Sequence, residues 1–149
     1  MLIEQLITPE RTLAGVPGGS KKRLLETISD FVSELHPETD AEDIFDALIE
    51  RERLGSTGIG DGVAIPHCRI KDCDQAIGIL FRLDQPIDFD AIDKQPVDLI
   101  FGLIVPDDAV DEHLKALQTI AEHFSQPDYR QHLRQAATDE ALYLAAIGS

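Results

Sequence analysis

The sequence predicts an α/β domain whose sheet is covered by helices on both faces. Apolar residues recur at helical spacing over 24–35, 41–49 and 110–124. Short apolar runs rich in β-branched residues fall at 63–65, 76–83 and 97–105, and the two patterns intermix along the chain. The 149 residues suit a single domain covering 1–149, long enough to bury one core.

Near the start, Thr8-Pro9 and Gly15-Val16-Pro17-Gly18-Gly19 break the chain twice, leaving room for a short helix and then a short strand. Ser20 caps a helix whose buried face is Leu24, Leu25, Ile28, Phe31, Val32 and Leu35. His36-Pro37 ends it, because the residue before a proline is pushed out of the helical region. A second helix begins near Thr39 or Asp40, buries Ala41, Ile44, Phe45, Leu48 and Ile49, and runs through Glu50-Arg51-Glu52-Arg53 to Gly55. Basic residues suit the negative end of a helix, so this last turn reads by itself as a solvated end.

Val63-Ala64-Ile65 is a strand leading to Pro66-His67. Strands over Ala76–Leu83 and Val97–Val105 flank a connection, Gln85–Pro96, whose prolines and aspartates allow at most an edge strand. After Pro106-Asp107-Asp108, a third helix shows Val110, Leu114, Leu117, Ile120, Ala121 and Phe124 as one buried face, with His113 in its first turn. Helices over 128–137 and 138–147 complete the domain.

Charge excludes whole classes of partner. With 28 acidic against 13 basic side chains the formal charge is −15, so the average surface repels nucleic acid and anionic lipid. The longest apolar run, Leu99–Val105, is far short of the ~20 residues that span a bilayer. The first residues lack a basic region followed by a sustained apolar stretch, so no secretory signal is expected and a cytoplasmic location is. Cys68 and Cys73 are expected as unpaired thiols in a reducing compartment.

Two features point to chemistry. Gly55, Gly58, Gly60 and Gly62 fall in one loop, which could hold an anion on exposed peptide N–H groups or be a plain structural turn. Its spacing fits neither the dinucleotide nor the P-loop motif, so no nucleotide cofactor is expected. His67 follows at the end of an apolar strand, where open α/β sheets present reactive groups. A neutral imidazole with one nitrogen fixed by a hydrogen bond can attack a phosphoryl group without a metal. A zinc site of His67, Cys68 and Cys73 would need a fourth ligand at an unusual spacing, and no hydrolase motif accompanies the histidine. Periodicity does not choose between Arg51 and Arg53, which lie about 200° apart around the helix.

The segment Arg51-Glu-Arg-Leu-Gly55-Ser-Thr-Gly-Ile-Gly60-Asp-Gly-Val-Ala-Ile65-Pro-His67-Cys-Arg69 resembles the signature of the enzyme IIA domain of the phosphoenolpyruvate-dependent phosphotransferase system. The type is fructose/mannitol, and the similarity is greatest to its nitrogen-regulatory branch. Pro17–Arg23, Pro86–Phe89, Pro96–Ile100 and His113–Leu117 match in the same order. The resemblance implies the family's mixed β-sheet, with His67 accepting a phosphoryl group from a phosphohistidine on an HPr-like carrier, tele-phosphohistidine being the expected product. It implies that His113 and Arg51 assist, with neither cofactor nor metal. No sugar-permease domain falls in the 149 residues, so regulation of other proteins, potassium transporters or sensor kinases among them, is expected. The alternatives are a sugar-transporting IIA that passes phosphate to a IIB domain, and a binding regulator with vestigial phosphorylation.

Overall fold

A strand buried on both faces needs apolar side chains on both, and the most apolar stretch of the chain, Val97–Pro106, is the central strand of the sheet. The computed structural model describes residues 2–148. Two 3-10 turns, Ile3–Gln5 and Pro9–Arg11, lead into strand β1 (Thr12–Val16). Then come α1 (Lys21–Leu35), α2 (Ala41–Arg53), β2 (Gly58–Gly60), β3 (Val63–Ala64), β4 (His67–Ile70), β5 (Ile77–Ile87) and β6 (Val97–Pro106). Helices α3 (Val110–Phe124), α4 (Pro127–Gln135) and α5 (Asp139–Ile147) close the chain.

The sheet is mixed, in the order β1-β5-β6-β3-β2, with β4 also on β6. β5 and β6 are antiparallel, while β1 runs parallel to β5. β3 and β4 lie one after the other along β6, both parallel to it, with Val63 opposite Leu99 and His67 opposite Leu103. They are one line of chain broken at Ile65-Pro66. Side chains alternate across the strands, so Ile79, Phe81 and Ile100 face α1 and α2, whereas Leu80, Leu99 and Phe101 face the layer of α3 and α5. Side-chain oxygens of Ser20, Asp40 and Thr138 cap α1, α2 and α5 by accepting from the amides of Arg23, Glu42 and Ala141.

Four expectations need correction. His67 does not end a strand. Proline offers no N–H to a ladder, so pairing stops at Ile65-Pro66 and resumes with His67 as the first residue of β4. β5 runs on to Ile87, which pairs with Val97, and the register shift after Arg82 accommodates Pro86. In α3 the buried residues are Ala116, Ile120 and Phe124; Val110 and Leu114 are exposed because only the later turns pack on the sheet, and Ala121 is exposed because it lies about 100° around the helix from Ile120. Leu35, at the end of α1, is exposed too.

The glycine loop is a hairpin. β2 and β3 are antiparallel, joined through Asp61 (φ 59°) and Gly62 (φ 77°), the two successive positive φ values of a tight hairpin turn. Gly58 permits a close approach. A Cβ there would lie 2.8 Å from the Ala91 Cβ and 2.9 Å from its Cα, so Gly58→Ala must push the 88–93 segment away. The expected cost is about 1–3 kcal/mol, read as a lower urea midpoint with an unchanged slope.

Candidate functional site

Alternation along β4 sends Cys68 and Ile70 into the core beneath α1 and α2, and therefore turns His67 and Arg69 to the opposite side. Cys68 and His67 thus cannot hold one metal between them. The Cys68 thiol is buried and unpaired, and burial pushes its pKa up to about 12, which leaves it unreactive. Among the described residues no group of three His, Cys, Asp or Glu side chains converges as a metal site.

His67 is held in one tautomer by two independent contacts. Its Nδ1 lies 2.7 Å from the Ile65 carbonyl oxygen, which can only accept, so Nδ1 carries the proton. Its Nε2 lies 3.2 Å from Arg51 Nε, which can only donate, so Nε2 carries the lone pair. Arg51 is in the last turn of α2, and its Nη1 also donates to the Gly55 carbonyl at 2.9 Å. Arg53 instead makes an exposed ion pair with Glu50. Of the two arginines, Arg51 is the one brought to the histidine.

His113, in the first turn of α3, sets its ring edge-on to His67, with centroids 5.3 Å apart. It continues the buried stripe of the helix one turn before Ala116. Including His113 in the 116, 120, 124 spacing would have marked that stripe in the sequence. Its Nε2 is buried and meets no hydrogen-bond partner among the described residues. Burial, helped by the nearby charges of His67, Arg69 and Arg51, pushes its pKa down to about 4. Burial likewise holds the His67 pKa below 6.5. The Ile65 contact opposes that shift, Arg51 reinforces it and Glu52 opposes it. Both imidazoles are neutral at pH 7.

The rings open on a cleft whose wall includes Leu54, Arg69, Asp107, Val110 and Leu114. Four amides of the glycine loop are engaged within the protein, Gly55 N–H with the Glu52 carbonyl among them. Thr57 N–H donates to Glu52, Gly58 N–H to Ser56 Oγ, and Asp61 N–H to Asp93.

A profile described as "Phosphoenolpyruvate-dependent sugar phosphotransferase system, EIIA 2" matches residues 5–146. The chain belongs to this family. It is 53% identical over 145 residues to a nitrogen regulatory protein of Pseudomonas aeruginosa, covering 97% of this chain and 94% of that one. A nitrogen regulatory protein of Escherichia coli is 41% identical over 145 residues, covering 95% and 86%. The crystal structure of nitrogen regulatory protein IIA-Ntr from Neisseria meningitidis superposes with a TM-score of 0.88 at 39% identity, covering 99% of both chains. The mannitol IIA of Escherichia coli shares the fold, with a TM-score of 0.77 at 14% identity over 93% of this chain and 97% of that one. Family and fold are those that the motifs resemble. Members of this EIIA family are phosphotransfer components, and no helix among the described residues is long and apolar enough to cross a membrane.

The depressed histidines make stability depend on pH. An unfolded histidine takes its proton near 6.5 and the folded His113 only near 4, so falling pH protonates the unfolded chain first. This contribution is complete above pH 6.5 and is lost progressively toward pH 4. Urea denaturation across that window should show stability falling, and His113→Gln should flatten the slope. In an NMR titration, Arg51→Ala should raise the His67 pKa, since the guanidinium opposes imidazolium formation.

Proposed function

We propose that this EIIA protein accepts a phosphoryl group on Nε2 of His67 from a phosphohistidine on an HPr-like carrier, as part of a nitrogen-regulatory phosphotransfer chain. The observation that supports it best is the pair of contacts that leaves Nε2 of His67 unprotonated beside a guanidinium. A neutral nitrogen that keeps its lone pair is the nucleophile required, and Arg51 covers that lone pair until the phosphoryl oxygens draw the guanidinium away. The opposite nitrogen, already a donor to Ile65, stabilises the positive charge that the ring acquires.

In the transfer, the Nε2 lone pair forms the new N–P bond as the carrier's N–P bond breaks, and the carrier's imidazole keeps the released pair. No proton changes hands, because Nδ1–H of His67 stays on the Ile65 carbonyl. Arg51 donates to Nε2 before the reaction and must shift to the arriving oxygens, a short move for a forked donor. His113 Nε2 is buried without a partner among the described residues, and as an N–H it would donate to another phosphoryl oxygen. Its low pKa keeps it a neutral donor.

The exposed apolar side chains Leu54, Val110 and Leu114 ring the histidine and suit a protein donor better than a small phosphate ester. Net acidity suits a carrier with basic groups around its phosphohistidine. Regulation follows from the same place. A dianion at His67 makes the local charge of this surface more negative, which is sufficient to change the proteins it binds, with potassium transporters and sensor kinases as targets. Similarity to nitrogen regulatory proteins over nearly the whole chain supports this role over sugar transport.

Incubation with phosphoenolpyruvate, the upstream enzyme and an HPr-type carrier should add one acid-labile phosphate to the intact mass, and none to His67→Ala. A wild-type protein that takes no phosphate from any carrier would remove the proposal. Arg51→Ala and His113→Ala should each slow transfer by roughly 10²-fold while the protein stays folded, and Arg53→Ala should have little effect. Acceptance plotted against pH should decline only below 6.5, where His67 takes its proton.

A further inference from the structure

Glu52 is a carboxylate that the phosphotransfer step does not use, yet its side chain is only 6% exposed. Burying a carboxylate is costly unless its oxygens are occupied, and here both are. Oε1 is 3.0 Å from Lys21 Nζ and accepts the Thr57 N–H at 3.1 Å, while Oε2 accepts the Thr57 hydroxyl at 2.5 Å. The ammonium of Lys21 lies over the Phe89 ring, 4.8 Å from its centre. Ser56 Oγ donates to the Phe89 carbonyl at 2.6 Å, so the 55–57 segment is fastened from two sides.

What this segment holds is the reacting histidine and its arginine. The Thr57 carbonyl accepts from Ile65 N–H at 2.9 Å, and the Ile65 carbonyl in turn accepts from His67 Nδ1. The Gly55 carbonyl accepts from Arg51 Nη1. One buried carboxylate therefore anchors the strap that sets the aim of the guanidinium and the support of the ring. Resting on the phosphoryl-acceptor reading of His67, we infer that Glu52 is a positioning residue that, through Thr57, fixes the Nδ1–H tautomer of His67 and the orientation of Arg51.

The test uses the full chain and two readouts, His67 ring tautomer by long-range ¹H–¹⁵N NMR, and initial rates of transfer from the phosphorylated carrier resolved into kcat and KM. Glu52→Ala should show mixed tautomers and a kcat lower by roughly 10- to 100-fold, with KM changed by less than about twofold. Glu52→Gln retains an acceptor for the Thr57 amide and should recover most of both. Where Glu52→Ala does not fold, Thr57→Val, which removes only the hydroxyl contact, takes its place and should show a smaller change in the same direction. A folded variant that keeps a single Nδ1–H tautomer and wild-type kcat overturns the inference. A wild-type chain that takes no phosphate sinks the acceptor reading instead, and the tautomer measurement still decides whether Glu52 positions the ring.

Discussion

The site depends on one hydrogen bond, from Nδ1 of His67 to the carbonyl of Ile65 two residues earlier. It exists because the strand beside β6 is interrupted. Proline at position 66 has no N–H, the ladder breaks there, and the Ile65 carbonyl is left to take a side-chain donor from its own strand. That acceptor places the proton on Nδ1, and the Arg51 donor on the far side of the ring requires the same tautomer.

Around that bond the electrostatics are arranged by burial more than by charge. The domain carries −15 overall, yet desolvation is the leading cause of the depressed pKa at both His67 and His113, with arginine assisting. Neutral rings are the outcome. A phosphoryl group arriving here would meet donors in preference to the acidic surface, because hydrogen bonds at contact distance outweigh a field screened over ~8–10 Å. The global acidity acts instead on the approach of a partner.

Much of the fold was legible in sequence because the signals were local. Ser20, Asp40 and Thr138 announce helix starts by side-chain chemistry, and the runs at 76–83 and 97–105 announce buried strands by composition. The errors share a cause. The Val110–Leu114 part of the α3 stripe has helical periodicity but no sheet beneath it, and periodicity cannot say where a sheet stops. Glu52 stands in the charged last turn of α2, which suggests a solvated end, although its spacing from Ile44 and Leu48 places it on the buried stripe of that helix. The charge concealed it, since a buried carboxylate becomes plausible only once Lys21 and Thr57 are seen against it.

By itself the sequence determined the class of fold, the number and approximate spans of the long helices, and the family, since each rests on neighbouring residues or on an ordered series of motifs. Tertiary structure decided between Arg51 and Arg53, brought His113 within 5.3 Å of His67, and turned the glycine loop from a possible anion cradle into a fastened hairpin. Those outcomes depend on which side chains meet across α2, β4 and α3. Contacts between elements distant in the chain are set by packing, and no local pattern encodes them.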